Sequence, residues 1–314
     1  MKKTAVIIVS WNCREELRRC LYSVTRCSSP QTDIIVVDNA SSDDTAKMIK
    51  VEFPDIQFIP LDKNIGFGRA NNIGLQKTDA DFIFILNPDT IVLQDTIPLL
   101  TDFLVKNPQC GLAAPAILDD RRRVVPSTFH FPDLINYWTE HSLLLPLFEK
   151  IRNPGPDKKN FSKIRKIDWA TGAAFMLRRE HIPEPGLFDE HFFMYSEDAD
   201  LCKRLEENNV PRFYVPSAQV IHSHRGSSKK ARTFTIFHLF NSMVLYYRAH
   251  KGRMERFFLR LSISTDMCLR YIYLLISSPG RKSSQRDNEE RKKGYLRVLK
   301  TLHPFRKISR NGFK

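Results

Sequence analysis

Three carboxylates, Glu197, Asp198 and Asp200, crowd the segment Phe193-Met-Tyr-Ser-Glu-Asp-Ala-Asp-Leu201, beside aromatic residues and where an apolar stretch passes into an amphipathic one. Leu201 and Leu205 continue at helical spacing with Lys203 and Arg204 between them, which predicts a helix with the acids in its first turn. A carboxylate so placed at the mouth of a cleft suits a general base. Acids also gather at helix N-termini because they oppose the helix dipole, and this segment alone leaves both readings open.

Polar side chains recur upstream, each time just after an apolar run: Ser10-Trp-Asn12, Asp38-Asn39, Asn64 and Asn87-Pro-Asp89. The runs before them, at residues 5–10, 34–37, 56–60 and 82–86, read as buried strands, and residues 14–25 and 68–76 between them read as helices. Apolar strands without polar alternation, alternating with helices, predict an α/β layer with a Rossmann-like, mostly parallel sheet covered on both faces. Ligands then belong at the carboxyl ends of the strands, where these polar residues collect. The stretch Asn64-Ile-Gly-Phe-Gly-Arg-Ala-Asn-Asn-Ile-Gly74 has neither the P-loop ending nor the dinucleotide glycine pattern. Its Arg69 and Asn71 are placed either to meet a diphosphate or to hold the strand ends together. Residues 117–166 lose the pattern among prolines and read as an insertion, with residues 134–147 as a helical lid. Residues 167–178 read as one further apolar strand, with Gly172 where a ligand or backbone can approach closely.

The 314 residues carry a net charge of +14, but its distribution is uneven: residues 221–314 hold 22 Lys or Arg against 5 Asp or Glu, and the rest of the chain is slightly acidic. Apolar and aromatic stretches in that basic third are broken by Arg248, Lys251, Arg253, Arg256, Arg260 and Arg270, so no run reaches the ~18 apolar residues of a spanning helix. Basic amphipathic helices on an anionic membrane surface fit this composition, with a solvated basic face over a small helical core as the alternative. The six cysteines form no C-x-x-C pair and no zinc spacing, and residues 5–9 are too short for a signal core, which together imply a cytoplasmic protein. The spacing of Cys13, Cys20 and Cys27 suits small buried residues on a helix face.

Seven motifs in order, Val6-Ile-Ile-Val-Ser-Trp-Asn12, Val36-Val-Asp-Asn-Ala-Ser-Ser-Asp43, Asn64-Ile-Gly-Phe-Gly-Arg-Ala-Asn-Asn72, Leu86-Asn-Pro-Asp-Thr90, Trp169-Ala-Thr-Gly-Ala173, Met194-Tyr-Ser-Glu-Asp-Ala-Asp-Leu201 and His222-Ser-His-Arg-Gly-Ser-Ser228, span roughly residues 4–228. With them the chain closely resembles the inverting family 2 glycosyltransferases of the GT-A fold, in the bacterial branch described as rhamnosyltransferase-like. The resemblance implies a catalytic domain at 1–228, divided into a nucleotide-binding half (1–116), the insertion (117–166) and an acceptor half (167–228), followed by a basic helical region at 229–314. It implies transfer of a sugar from a nucleoside diphosphate-sugar, tilted toward dTDP-rhamnose, to a glycan or lipid-linked acceptor in bacterial surface polysaccharide synthesis, on the inner face of the cell membrane.

Carried onto this sequence, the resemblance puts the nucleotide at Ser10, Asn12, Asp38 and Asn39, with Asn64, Arg69 and Asn87 bordering the donor. The family's Asp-x-Asp metal motif stands here as Asn87-Pro-Asp89, one carboxylate short, so Asp89, phosphate oxygens and His222 would hold Mg²⁺ or Mn²⁺. His222 is equally open to a structural role, and His224 is the weaker candidate. Asp198 matches the catalytic base, with Glu197 beside it either raising its proton affinity or orienting a loop or acceptor. Trp169 and Gly172 would shape the sugar and acceptor pocket, Trp169 by stacking on a ring. A nucleic-acid-binding protein explains the basic tail but not the strand-end motifs. A sugar nucleotidyltransferase lacks its glycine-rich opening here, and a binding module without catalysis leaves Asp89 and Asp198 unexplained.

Overall fold

A computed structural model describes residues 2–29, 32–142, 161–184, 186–223, 232–277 and 282–302. His224 and the remainder of the Gly-Ser segment, the end of the expected lid and the last twelve residues lie outside the described residues. The chain divides into two compact units, the first within Met1–Phe131, Pro156–Glu190 and Glu197–Gly226, the second within Pro132–Gly155, His191–Ser196 and Ser227–Lys314. The second unit thus takes in part of the expected insertion and the residues just before the acidic helix, which a boundary at 228 alone does not anticipate.

The first unit begins β1 (Thr4–Ser10), α1 (Arg14–Cys27), β2 (Thr32–Asp38), α2 (Thr45–Glu52), β3 (Gln57–Pro60), α3 (Phe67–Leu75), β4 (Phe82–Leu86), β5 (Thr90–Val92), α4 (Thr96–Lys106) and β6 (Leu112–Leu118). After the short β7 (Val124–Val125) and β8 (Thr128–Phe129), the second unit contributes α5 (Leu134–Glu140). The first unit resumes with β9 (Arg165–Lys166), β10 (Trp169–Ala170), β11 (Ala174–Arg178), α6 (Glu197–Glu207) and β12 (Arg212–His222).

The main sheet has the order β3-β2-β1-β4-β11-β6-β12-β5. β3, β2, β1 and β4 are parallel, β11 runs antiparallel between β4 and β6, and β12 is parallel to β6 but antiparallel to β5. Every residue of β1 and β4 is buried, as a sheet covered on both faces requires. Leu17, Cys20, Leu21 and Val24 of α1 pack into one core layer, and α3 lies against β1 on the other side.

One strand reading changes. Residues 167–178 do not make one strand: the ladder breaks at Thr171–Gly172–Ala173 between β10 and β11. Residues 212–222 make one long strand, β12. Its pairing with β6 skips from Val215 to Gln219, where Pro216 has no N–H to continue the ladder.

The second unit adds α7 (Arg232–His250), α8 (Arg253–Ile276) and α9 (Lys282–Leu302). Within it, α5 is tied to α8 through buried Asp266, which accepts from the Tyr137 hydroxyl at 2.7 Å and from Ser142 Oγ at 3.0 Å. Among the described residues no helix is long and apolar enough to cross a membrane.

Candidate active site

The chain leaves β1 toward β2 and β3 on one flank and returns through β4 on the other. Loops therefore part at the carboxyl ends of β1 and β4, the switch point where open α/β sheets hold ligands. The polar residues predicted from sequence collect there.

On the β1–β2 side, Ser10 and Asp38 are register partners and both are buried, as is Asn39. The Asp38 carboxylate accepts from the Ser41 backbone N–H at 3.1 Å and from Ser41 Oγ at 2.5 Å. Burial raises its pKa above the ordinary value, against the opposing pull of those two bonds. Asn12 sits at φ 51°, a left-handed conformation that asparagine tolerates better than most residues. Its N–H donates to Ser41 Oγ at 2.8 Å and its Oδ1 accepts from the Ser42 N–H at 2.7 Å. Ser41 and Ser42, which knit the two loops together, were not singled out from sequence. The available signal was an Asp followed at short range by hydroxyl residues, a pattern of local side chain-to-backbone bonding.

Asn39 accepts from the Ile65 N–H at 2.8 Å and donates to the Gly66 carbonyl at 3.1 Å. Both functions of an amide expected to meet the nucleotide are thus engaged by the loop bordering the crevice. Asn64 Oδ1 accepts from the Gly66 N–H at 3.0 Å, across a turn that needs glycine because Gly66 has φ 92°. The two residues left open in α3 now separate. Asn71 is buried and donates to the Phe67 carbonyl at 2.9 Å, a structural role. Arg69 is exposed and its Nε meets Glu190 at 2.7 Å, a partner that sequence spacing gave no means of finding.

On the β4 side, β12 pairs with β5 so that His222 stands opposite Thr90. Asp89 precedes Thr90, and its Oδ1 lies 3.0 Å from His222 Nε2 with both side chains largely buried. A hard carboxylate oxygen and an imidazole nitrogen therefore converge. Among the described residues no group of three or more His, Cys, Asp or Glu gathers as a metal site. This donor set fits a divalent cation whose shell is completed by ligand phosphates and water, as Mg²⁺ tolerates, while the imidazole leans toward Mn²⁺.

The break between β10 and β11 joins the two acidic centres. The Gly172 N–H donates to Asp198 Oδ2 at 2.8 Å. The next residue, Ala173, accepts through its carbonyl from the Asn87 N–H at 2.9 Å and from Thr90 Oγ1 at 3.5 Å. Two consecutive residues thus bind the base candidate on one side and the Asn87–Thr90 loop on the other. A Cβ at Gly172 would lie 3.6 Å from Asp198 Oδ2, an ordinary contact, so the N–H bond and not the lack of a side chain is what this position supplies.

Asp198 also accepts from the Ala199 N–H at 2.8 Å. Burial raises its pKa, and the N–H groups of Gly172 and Ala199 oppose the shift. Glu197 is buried, and its Oε2 has no hydrogen-bond partner among the described residues. Burial first, then the charge of Asp198, drives its pKa well above the ordinary value. Both neighbouring acids are therefore held above their ordinary values, Asp198 by burial and Glu197 by burial and the adjacent charge. Asp200, the third acid, pairs with Arg204 at 2.8 Å inside the helix and belongs to its support. Tyr195 and Ser196 enter α6 with φ 68° and 62°, two consecutive left-handed residues that are not glycine.

Trp169 does stack, but on Phe129, with ring centroids 4.8 Å apart, and its Nε1 donates to the His130 carbonyl at 2.8 Å. One of its faces and its only polar atom thus bind the β8–β10 pair, where stacking on a sugar ring was expected.

A switch point with Asp89 and His222 converging at one strand end, and the Asp198 carboxylate on the first turn of α6 tied to the same loop, is the arrangement of a GT-A glycosyltransferase. Two solved structures share this fold: GalNAc-T7 with UDP, GalNAc and Mn²⁺ (TM-score 0.58, 16% identity, covering 96% of this chain and 56% of that one), and S. aureus TarS 1–349 in complex with UDP-GlcNAc (TM-score 0.55, 14% identity, covering 95% and 73%). The model of glycosyl transferase family 2 matches residues 5–184, and the chain belongs to that family. It is 28% identical over 296 residues to the N-acetylglucosaminyl-diphospho-decaprenol L-rhamnosyltransferase of Mycobacterium tuberculosis (strain CDC 1551 / Oshkosh), covering 90% of this chain and 95% of the relative. It is 27% identical over 226 residues to rhamnosyltransferase WbbL of Escherichia coli (strain K12), covering 69% and 82%.

Proposed function

We propose that this glycosyltransferase moves a deoxyhexose, most simply rhamnose from dTDP-rhamnose, onto a lipid-linked N-acetylglucosaminyl diphosphate in bacterial surface polysaccharide synthesis, with inversion at the anomeric carbon. Similarity to the mycobacterial rhamnosyltransferase along nearly its whole length supports the donor and acceptor class. The observation that carries the catalytic reading is the Gly172–Ala173 link between Asp198 and the Asn87–Thr90 loop. It ties a proton acceptor to the strand end that faces the leaving group.

In this reading Ser10, Asn12 and Asp38 receive the nucleotide, while Asn39, Asn64 and Asn87 shape the loops around it. Asp198 takes the proton from the acceptor hydroxyl as that oxygen attacks the anomeric carbon from the face opposite the diphosphate. The bond from the anomeric carbon to the phosphate oxygen breaks, and the electron pair leaves with the nucleoside diphosphate. Glu197, whose pKa burial and the neighbouring Asp198 charge raise well above the ordinary value, stands next to the base in the chain. Asp89 and His222 would hold Mg²⁺ or Mn²⁺, which offsets the charge developing on the leaving diphosphate. The surplus of 17 positive charges in residues 221–314 supports a peripheral position on the anionic inner face of the cell membrane, within reach of a lipid-linked acceptor.

The test is transfer from a panel of dTDP-, UDP- and GDP-sugars to a short-chain lipid-linked N-acetylglucosaminyl diphosphate, with and without Mg²⁺ or Mn²⁺. The expected result is cation-dependent product from one donor with its anomeric configuration inverted. A folded protein whose melting temperature no nucleotide or nucleotide sugar raises, with either cation, would rule the reading out.

A further inference from the structure

Helix α8 has two apolar faces. Leu259, Ile263, Met267 and Leu274 are buried. On the other side Met254, Phe258, Leu261, Leu269, Ile272 and Ile276 recur at helical spacings, and Met254 and Ile276 are 67% and 77% exposed. At 3.6 residues per turn these six fall within an arc of roughly 80°. The helix spans Arg253–Ile276, roughly 36 Å at 1.5 Å per residue. No residue of α8 within that arc carries a charge. A helix in water needs one apolar stripe for its core, and a second, continuous stripe facing solvent marks an interaction surface.

The charges of the region choose the occupant. Residues 221–314 carry 17 more basic than acidic side chains. A second copy of the chain would bring two such surpluses together, which electrostatic repulsion opposes, whereas an anionic lipid surface attracts them. Spanning is excluded for this helix, since Glu255, Arg256, Arg260, Asp266 and Arg270 interrupt it and it fails the apolar length for a membrane crossing. An uncharged stripe along one side, with ionic residues elsewhere on the helix, is the pattern of a helix lying in the interface plane.

We propose that α8 lies in the plane of an anionic bilayer with the stripe from Met254 to Ile276 inserted among the acyl chains. The inference deepens the membrane-surface part of the proposed function and rests on it: the contact is hydrophobic as well as electrostatic. Basic residues alone would release from lipid when salt screens them. An inserted stripe holds on.

The experiment is co-sedimentation of the full chain with vesicles of phosphatidylcholine alone or mixed with phosphatidylglycerol, at low and high salt, for the wild type, Phe258→Glu and Ile272→Glu. Both positions are exposed, so thermal melts by circular dichroism should be unchanged. The expected result is wild-type binding to mixed vesicles that persists in part at high salt, with each variant's partition coefficient reduced about tenfold or more. Wild-type affinity in both variants would overturn the proposal, as would wild-type binding abolished by salt, or no binding at all. A dimer in gel filtration that Ile272→Glu dissociates would overturn it too, by assigning the stripe to a second copy. Transfer to a short-chain acceptor in solution, measured on the same variants, keeps the two readings apart: it should be unchanged, and its absence in the wild type would sink the proposed reaction without touching the vesicle result.

Discussion

Asp89 and His222 stand 3.0 Å apart because the antiparallel pairing of β12 with β5 sets His222 opposite Thr90, the residue after Asp89. Neither residue has another His, Cys, Asp or Glu completing a metal shell among the described residues, so a cation here needs the donor's phosphates. Asp89→Ala should weaken nucleotide binding about tenfold or more, a loss of about 1.4 kcal/mol or more, when Mg²⁺ or Mn²⁺ is present, and change it little in EDTA. Isothermal titration with and without chelator reads both. An equal loss in EDTA would mean that Asp89 serves the nucleotide without a cation.

Asp198 should be indispensable to transfer and dispensable to donor binding. Asp198→Asn keeps the shape and can still meet the Gly172 N–H through its amide oxygen, but it cannot accept the acceptor's proton. The expected outcome is a kcat reduced about 100-fold or more, with nucleotide affinity nearly unchanged. Because burial raises the Asp198 pKa, the acid limb of the wild-type kcat/KM profile should lie above the ~3.9 of an ordinary aspartate. Activity then falls as pH drops through that raised value, since protonation removes the base.

Glu197 offers a stability test that is separate from catalysis. Its folded-state pKa lies well above the ordinary value because the carboxyl is buried beside Asp198. A carboxyl raised in this way contributes its full stability below the unfolded pKa of about 4.3 and loses it as pH rises through the folded value. Glu197→Gln stays neutral throughout. The variant's melting temperature should match wild type near pH 4 and exceed it by a few degrees near pH 8, on a scale of about 2–4 °C per kcal/mol for a domain of this size. A melting temperature lower at both pH values would mean that the charged form is the one the fold prefers.

Strands whose residues are buried on both faces are the easiest to read from sequence, and β1, β2 and β4 follow from runs such as Ala5-Val-Ile-Ile-Val9. The polar residues at their ends were legible for the same reason, because the end of an apolar run marks the strand end. What escaped depends on partners distant in the chain. At the break the Gly172 N–H is taken by Asp198, a side chain 26 residues further on, while Ala173 still pairs with Asn87. The Arg69–Glu190 pair and the stack of Trp169 on Phe129 arise from tertiary placement alone, and spacing carries no trace of them. Burial decided the two acids: their adjacency was visible, but only the structure settles that Glu197 is the deeper one.

Gly74 is fixed by close approach of α3 to β1. A Cβ there would meet Ile7 Cγ2 at 2.6 Å and Val37 Cγ2 at 3.4 Å, both in the buried sheet. Alanine improves helix propensity by about 1 kcal/mol, but overpacking a rigid β-branched neighbour costs about 1–3 kcal/mol. Gly74→Ala should therefore lower the urea midpoint with an unchanged m-value. Adding Ile7→Ala, which removes the obstructing methyl, should cost less than the sum of the two single changes.

Arg69 separates a scaffold role from a ligand role by magnitude. Its pair with Glu190 is about half exposed on both sides, and such pairs contribute about 0–1 kcal/mol. Glu190→Ala and Arg69→Ala should therefore leave the melting temperature within about 4 °C of wild type. If the guanidinium also meets the donor diphosphate, a charge-assisted bond worth about 1.5–3 kcal/mol is lost only in Arg69→Ala. That variant should then bind the nucleoside diphosphate at least about tenfold more weakly. Glu190→Ala, which frees the same guanidinium, should bind it as well as wild type or better. Equal nucleotide affinity in all three proteins would assign Arg69 to the Glu190 contact alone.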